Sequence, residues 1–443
     1  MVKFLHTADW HLGMKYSRLG EKAEKARDIR VKSVKTLLDH AREENVDFVL
    51  VAGDLFDSND VDKRLLNTVS EILQHTPVPI YIIPGNHDPL TLDSLYWDPV
   101  WETLNNVTIF KESKPFTLPH HNVTIYPSPV SQKQSKKDPT DWIKVNGSPS
   151  KIKTNGSETE IKSSETEIKS LESEIKINDS LSNGKYQNAR NEISIGLAHG
   201  NLAIEGYIDN PNFPINPNRV TISDLDYLAL GEWHSFRTFQ DSEGINRTIY
   251  PGTPETTKFG EENSGKAVIV EIETPHSAPV IQELDVGTLV WEKHKLEINS
   301  RADAETLHLN IQQTLNPQNR VLSLNLTGVT DQDTINYLEN FPSQFQNKFM
   351  HLNIIKDDLF LKPNLLELKA LLPEGAVVNQ TFEALMALMK TQPEMQEYSD
   401  LNPERTREIF SELKGKDVME GLSPEIINRA FLLMYQMIRE AAP

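Results

Sequence analysis

The opening stretch Val2-Lys-Phe-Leu-His-Thr-Ala-Asp-Trp-His11 decides the fold class. Val2 to Thr7 reads as a strand, and it runs straight into Asp9 and His11, two side chains able to hold a metal. The same arrangement recurs twice. Phe48 to Ala52 leads to Gly53-Asp54-Leu-Phe-Asp57, and Ile80 to Pro84 leads to Gly85-Asn86-His87-Asp88. Between the first two strands Val34, Leu37, Leu38 and Ala41 fall at helical spacing; between the next two, Leu65, Leu66, Val69, Ile72 and Leu73 do so. Strands alternating with amphipathic helices predict an α/β fold whose sheet is covered by helices.

Two later strands extend the series. Ile193 to Ala198 runs into His199-Gly200, and Tyr227 to Leu230 into Gly231-Glu232-Trp233-His234. Alone, each cluster is ordinary: Gly-Asp is common turn chemistry and Asn-His can simply close a loop. Five of them, each just past a strand, are another matter, because loops at the carboxyl ends of strands converge on a rigid frame. Of the 13 histidines in the chain, His11, His87, His199 and His234 fall in these clusters.

Composition narrows the chemistry. There is no cysteine, which excludes disulfides, thiolate metal sites and thiol catalysis. Any metal must be held by His, Asp, Glu and Asn. The N-terminus lacks an apolar run of signal-peptide length and no run approaches a membrane span, so a cytoplasmic protein is expected. The net charge of -19 argues against nucleic acid as a partner, since DNA binding rests on cations at the phosphates. Metal ions and a local basic face can supply that charge on an acidic protein.

The 443 residues predict more than one folded unit. A catalytic domain is expected over 1–284, a small accessory domain over 285–362 and a helical region over 363–443. Within the first, 131–192 turns to Lys, Ser, Glu, Asn and Gly, with three near-copies in tandem over 156–162, 163–169 and 170–176. One regularly recurring Ile per seven residues is too little for a coiled-coil seam, so a disordered, nearly neutral insertion is expected. The accessory segment is read as two strands, Leu322 to Leu326 and His351 to Ile355, around a helix at Gln332 to Asn340. In the C-terminal region Phe382, Leu385, Met386 and Met389 form one stripe, and Ile426, Ile427, Ala430, Phe431, Met434 and Ile438 another. They serve either packing within the domain or the docking of a partner.

The ordered set Asp-X-His, Gly-Asp-X-X-Asp, Gly-Asn-His-Asp, Gly-flanked His and Gly-X-X-His resembles the calcineurin-like metallophosphoesterases. Phe4-Leu-His-Thr-Ala-Asp-Trp-His-Leu-Gly13, Val51-Ala-Gly-Asp-Leu-Phe-Asp57 and Tyr250-Pro-Gly-Thr-Pro-Glu255 bring it closer to the SbcD-type DNA repair nucleases. That resemblance covers the catalytic region and only loosely 285–360. It implies a layered sheet-and-helix core, a small α+β capping domain and a helical tail. It also implies one metal on Asp9, His11, Asp54 and His234, and a second on Asp54, Asn86, His199 and Glu232. Asp54 would bridge through its two oxygens, and the pair of cations would clamp a phosphoryl group and share an activated hydroxide. A mixed N and O set favours Mn2+, Mg2+ or Fe2+ over a closed zinc site.

By the same resemblance His87 contacts the phosphate and helps the sugar oxygen leave. Asp57 is expected to orient a ligand, and Trp10 and Trp233 to pack beneath the site. The one departure is Glu232, where the family pattern has His. A carboxylate there makes the second site harder and less suited to zinc; the alternative is that Glu232 turns away and the site weakens.

The expected activity is metal-dependent hydrolysis of DNA phosphodiesters, as exonuclease or endonuclease, in repair or recombination. The expected partners are DNA and an SbcC-type coiled-coil ATPase docked on the C-terminal helices; a homodimer is compatible with this. Two other readings use the same residues: a phosphoesterase acting on a small nucleotide or phosphoprotein, and a non-catalytic scaffold. Retention of nearly the whole ligand set disfavours the scaffold.

Overall fold

A computed structural model describes residues 1–118, 120–145, 190–206, 209–345, 347–371, 377–390, 401–414 and 423–441. The tandem repeats lie outside the described residues. The chain divides into two compact units, Met1–Leu289 and Val290–Pro443.

Among the described residues the first unit holds two six-stranded sheets. In chain order its strands are β1 (Val2–Thr7), β2 (Phe48–Ala52), β3 (Ile80–Ile83), β4 (Val107–Ile109), β5 (Phe116–Leu118), β6 (Val123–Ser128), β7 (Ile193–His199), β8 (Tyr227–Gly231), β9 (Arg237–Gln240), β10 (Asn246–Tyr250), β11 (Lys266–Ile272) and β12 (Val280–Asp285). One sheet runs β12-β11-β1-β2-β3-β4 and the other β5-β6-β7-β8-β10-β9. β1, β2, β3 and β4 are mutually parallel, as are β6, β7, β8 and β10.

The period of two along each strand sorts its side chains between two cores. Phe4, Phe48, Leu50 and Ile83 meet Ile125, Ile195, Leu197, Tyr227 and Ile249 of the other sheet. Their neighbours Leu5, Val49, Val51, Ile80 and Ile82 face outward onto two helices. These are α1 (Ala23–Glu43), with Val34, Leu37, Leu38 and Ala41, and α2 (Lys63–Gln74), with Leu66, Val69 and Leu73. The far face of the second sheet is covered by Ile143, Val145, Leu202, Ile215 and Val220, the last from the short α3 (Arg219–Ser223).

Residues 131–145, read from composition as part of the insertion, are largely exposed but anchored at their C-terminal end, where Thr140 is buried. Ile143 and Val145 are buried, and Asp138 binds the Arg219 guanidinium at 2.7 Å and the Asn216 N–H at 2.9 Å. On the far side Arg190 pairs with buried Asp226 at 2.6 Å. The polar composition that suggested disorder here belongs to a loop held by ion pairs.

The second unit opens with a parallel sheet of three strands, β13 (Val290–Glu297), β14 (Arg320–Thr330) and β15 (His351–Leu361), where the sequence suggested two. β13 escapes a periodicity reading because Glu292, Lys293, His294 and Lys295 interrupt its apolar residues, and most of the strand is exposed. Helix α4 (Arg301–Gln312) links β13 to β14, starting from a capping box of Ser300 and Asp303. Helices α5 (Gln332–Glu339) and α6 (Phe341–Phe345) link β14 to β15. Among the described residues four helices follow: α7 (Leu365–Leu371), α8 (Val377–Met389), α9 (Pro403–Lys414) and α10 (Pro424–Ala441). Phe382 stacks on Phe431 at 5.1 Å, so the two apolar stripes pack on each other within this unit, except Ile426, which is exposed. No helix among the described residues is long and apolar enough to cross a membrane.

Candidate metal centre

Because β1, β2, β3, β7 and β8 run parallel within their sheets, each delivers its cluster at its carboxyl end. Asp9, His11, Asp54 and His199 are fully or almost fully buried, Asn86, Glu232 and His234 partly so, and His87 is exposed at the mouth. Three groups of side chains stand close enough to share an ion: Asp9 with His11 and His234, Asp9 with Asp54 and His199, and His11 with Asp57 and His87. Asn86 Oδ1 lies 3.3 Å from His199 Nε2 and Glu232 Oε2 lies 3.0 Å from the same atom. All eight site residues expected from the sequence are therefore brought together. Glu232 faces inward.

The backbone is strained to do this. Asp9, His11, Asp54 and Glu232 have φ of 53°, 41°, 52° and 108°, in the region that L-residues avoid. Two glycines make room. A Cβ on Gly53 would strike the His199 ring, and one on Gly85 would strike the Asp54 carboxylate.

Hydrogen bonds fix which atoms remain free. His199 Nδ1 donates to Ala52 O at 2.8 Å, which leaves the Nε2 lone pair facing the centre. His234 Nδ1 donates to Glu261 Oε1 at 2.5 Å, so its Nε2 is also a lone pair, and it lies 3.0 Å from His11 Nε2. Asp54 Oδ1 accepts the His87 N–H at 2.9 Å. Asp54 Oδ2 lies 3.7 Å from His11 Nε2 and 3.5 Å from His199 Nε2. Asp54 Oδ1 keeps a second lone pair beside this hydrogen bond, so the carboxylate would remain able to be shared between two cations.

The electrostatics call for a cation. Burial pushes the Asp54 carboxyl well above the usual range, with Asp88 and Asp9 adding to it, and burial likewise raises Asp9. Burial and the neighbouring His234 hold the His11 imidazole well below its usual value. For His199 burial also works against charge, but Asp54, Glu232 and Asp9 outweigh it and raise the pKa well above the ordinary one. Divalent ions would keep these carboxylates anionic and the rings neutral. Glu232 Oε2 is buried without a hydrogen bond, and its other oxygen accepts from Asn201 Nδ2 at 3.3 Å. The donor set fits two cations.

Several supporting residues carried no spacing signal. Glu261 orients His234 and is itself held by the Thr257 N–H at 2.6 Å. Burial opposes its charge, yet His234 and Thr257 bring its pKa down to about 2. Arg30, buried in α1, donates to Trp10 O at 2.7 Å and Glu255 O at 2.6 Å, while Thr253 Oγ1 donates to Asp9 O at 2.7 Å. The Tyr250–Glu255 motif therefore braces the first ligand loop. The Glu255 carboxylate accepts the Thr288 and Leu289 N–H groups, tying the last residues of the first unit to it. Trp10 is wholly buried, whereas Trp233 lines a cavity at the mouth, stacked on Tyr250 at 5.0 Å.

A family model for calcineurin-like phosphoesterases matches residues 2–235, more than half of the chain, and the chain belongs to that family. It is similar to the uncharacterized metallophosphoesterase YhaO of Bacillus subtilis, 23% identical over 321 residues that cover 71% of this chain and 67% of that protein. It is also similar to the DNA double-strand break repair protein Mre11 of Archaeoglobus fulgidus, 34% identical over 95 residues, 21% of this chain and 20% of that one. A component of the nuclease SbcCD of Escherichia coli is 33% identical over 90 residues, 20% of this chain and 21% of the relative. The matches to these two span only about a fifth of their lengths. Family and site together make the chain a metal-dependent phosphoesterase.

Proposed function

We propose that this phosphoesterase is a nuclease that hydrolyses DNA phosphodiester bonds with two divalent cations, Mn2+ foremost, in repair or recombination. The observation that carries the reading is Asp54 Oδ2 lying 3.7 Å from His11 Nε2 and 3.5 Å from His199 Nε2, with His234 Nε2 3.0 Å from His11 Nε2. Asp9, His11, Asp54 and His234 would hold one ion, and Asp54, Asn86, His199 and Glu232 the other. Bound cations polarise the phosphoryl group and acidify water.

The chain's own residues do the rest. His87 Nδ1 donates to Asp57 O at 3.1 Å, which fixes the ring and leaves Nε2 as the atom available to substrate. A proton held there can pass to the departing sugar oxygen. His11 packs edge-on against His87 at 4.6 Å, keeping the acid beside the ligands. Partial similarity to two proteins of this kind, a DNA double-strand break repair protein and a nuclease, supports DNA as substrate. The net charge of -19 supports the second reading, a small nucleotide or phosphoprotein substrate.

Digestion of single-stranded and duplex DNA with Mn2+, with His87→Ala as control, separates the two. Cleavage lost in the variant supports the nuclease. Intact DNA alongside hydrolysis of bis(4-nitrophenyl) phosphate overturns it.

The same reading extends to a coiled-coil ATPase partner on the C-terminal helices. Ile426, Leu433 and Met437 on α10 are 51%, 40% and 68% exposed, in positions that form one stripe. Co-purification of the full chain with an SbcC-type ATPase, abolished by Leu433→Asp with Met437→Asp, is the expected result; no ATPase recovered contradicts it.

A further inference from the structure

The centre opens into a cavity of about 480 Å³ lined by His87, Glu232, His234, Trp233, Arg237 and Lys258, among others. In a chain with 64 acidic and 45 basic residues, the charges here are arranged unusually. The two acids in the cavity have other roles: Glu232 faces the metal centre and accepts from Asn201, and Glu261 is held by His234 and Thr257. Among the described residues neither Arg237 nor Lys258 is paired with a carboxylate, and both are exposed. They come from different segments, the start of β9 and the loop before Glu261, and converge on one cavity.

Arg237 is also held in place. Its guanidinium carbon lies 5.3 Å from the centroid of the Trp233 ring. That ring is pinned by stacking on Tyr250 and by its indole N–H, which donates to Asn201 Oδ1 at 2.6 Å. A guanidinium laid on a fixed aromatic face keeps its donor edge free and loses little entropy when it meets an oxyanion. In the proposed function the metal ligands would account for the scissile phosphate, which leaves these two cations for another group.

We infer that Arg237 and Lys258 form a subsite for a second phosphate of the substrate, the one flanking the scissile phosphate in a strand. This rests on the phosphodiesterase reading and narrows its substrate class to chains bearing at least two phosphates. A substrate with a single phosphate leaves both cations unused.

Calorimetric titration of the Mn2+-loaded full chain with thymidine 3′,5′-bisphosphate and with thymidine 5′-monophosphate tests this. The bisphosphate is expected to bind about tenfold more tightly, the worth of one or two charge-assisted hydrogen bonds. Arg237→Ala and Lys258→Ala each remove most of that preference and leave the monophosphate Kd within about twofold; Arg237→Lys retains part of it. Equal affinity for the two ligands in the unaltered protein, or equal weakening of both in the variants, overturns the subsite. The readout needs no DNA cleavage, so a preference for bisphosphate with intact DNA would reject the nuclease and keep the subsite.

Discussion

His11 Nε2 and His234 Nε2 face each other at 3.0 Å across 223 residues of sequence. With His234 Nδ1 committed to Glu261, the His234 atom is an acceptor. His11 can donate to it, or can carry its proton on Nδ1, where Asp57 Oδ1 stands 3.6 Å away, and offer a second lone pair to the same point. That second state is the one a cation selects. His234→Ala is expected to leave one Mn2+ per chain and lower phosphodiesterase activity by at least about 100-fold. Metal analysis after gel filtration, with rates measured on the same sample, checks this.

Glu261 holds His234 and would act through it on a bound metal. Glu261→Gln should weaken Mn2+ binding by about 10 to 100-fold while thermal unfolding of the loaded protein stays cooperative. A chelator competition titration reads the affinity directly.

The same residue sets an acid dependence. Its carboxyl falls from a usual value of 4.5 to about 2 in the folded chain. A depressed folded pKa contributes stability that is fully present above the unfolded value and is lost as the pH falls towards the folded one. In EDTA, the Tm difference between the unaltered protein and Glu261→Gln should be constant above about pH 5 and shrink steadily between about pH 4.5 and 2. A difference that grows on acidification would contradict the pairing.

Glu232 separates backbone strain from coordination. Its φ of 108° is tolerated by glycine and by few other residues. Glu232→Gly should be more stable than Glu232→Ala by about 1 kcal/mol in the absence of metal, although both lose the carboxylate. Both should bind one Mn2+ fewer, and Glu232→His should raise affinity for zinc relative to manganese. Unchanged occupancy in all three would remove Glu232 from the ligand set.

Asp88 holds the frame rather than the metal. It is buried and accepts the Phe56 N–H at 2.9 Å, the Gly85 N–H at 2.8 Å and the Tyr96 hydroxyl at 2.6 Å. Asp88→Ala strands these donors and should cost about 3 kcal/mol, measured by urea unfolding of the metal-free protein.

The first unit's central strands were legible because β1, β2, β3, β7 and β8 are apolar runs, and because a cluster of metal-capable residues recurs at the end of each. Their observed ends fall within a residue of those read from the sequence. Two edge strands, β12 and β13, were not legible. β12 has one buried residue in six, and β13 none in eight, so neither carries the alternation that marks a half-buried strand. Within the site the ligands stood out because strand ends announce them. Glu261 and Arg30 did not, because each reaches the centre from a distant element, and nothing in local spacing records where the chain returns.

The central claim is a centre that holds two cations through Asp54. Equilibrium dialysis of the purified chain against Mn2+, followed by elemental analysis, tests it most directly. The account predicts two ions per chain in the unaltered protein, with both sites weakened in Asp54→Asn. One ion or none at saturation, or two ions bound with unchanged affinity in Asp54→Asn, would contradict it.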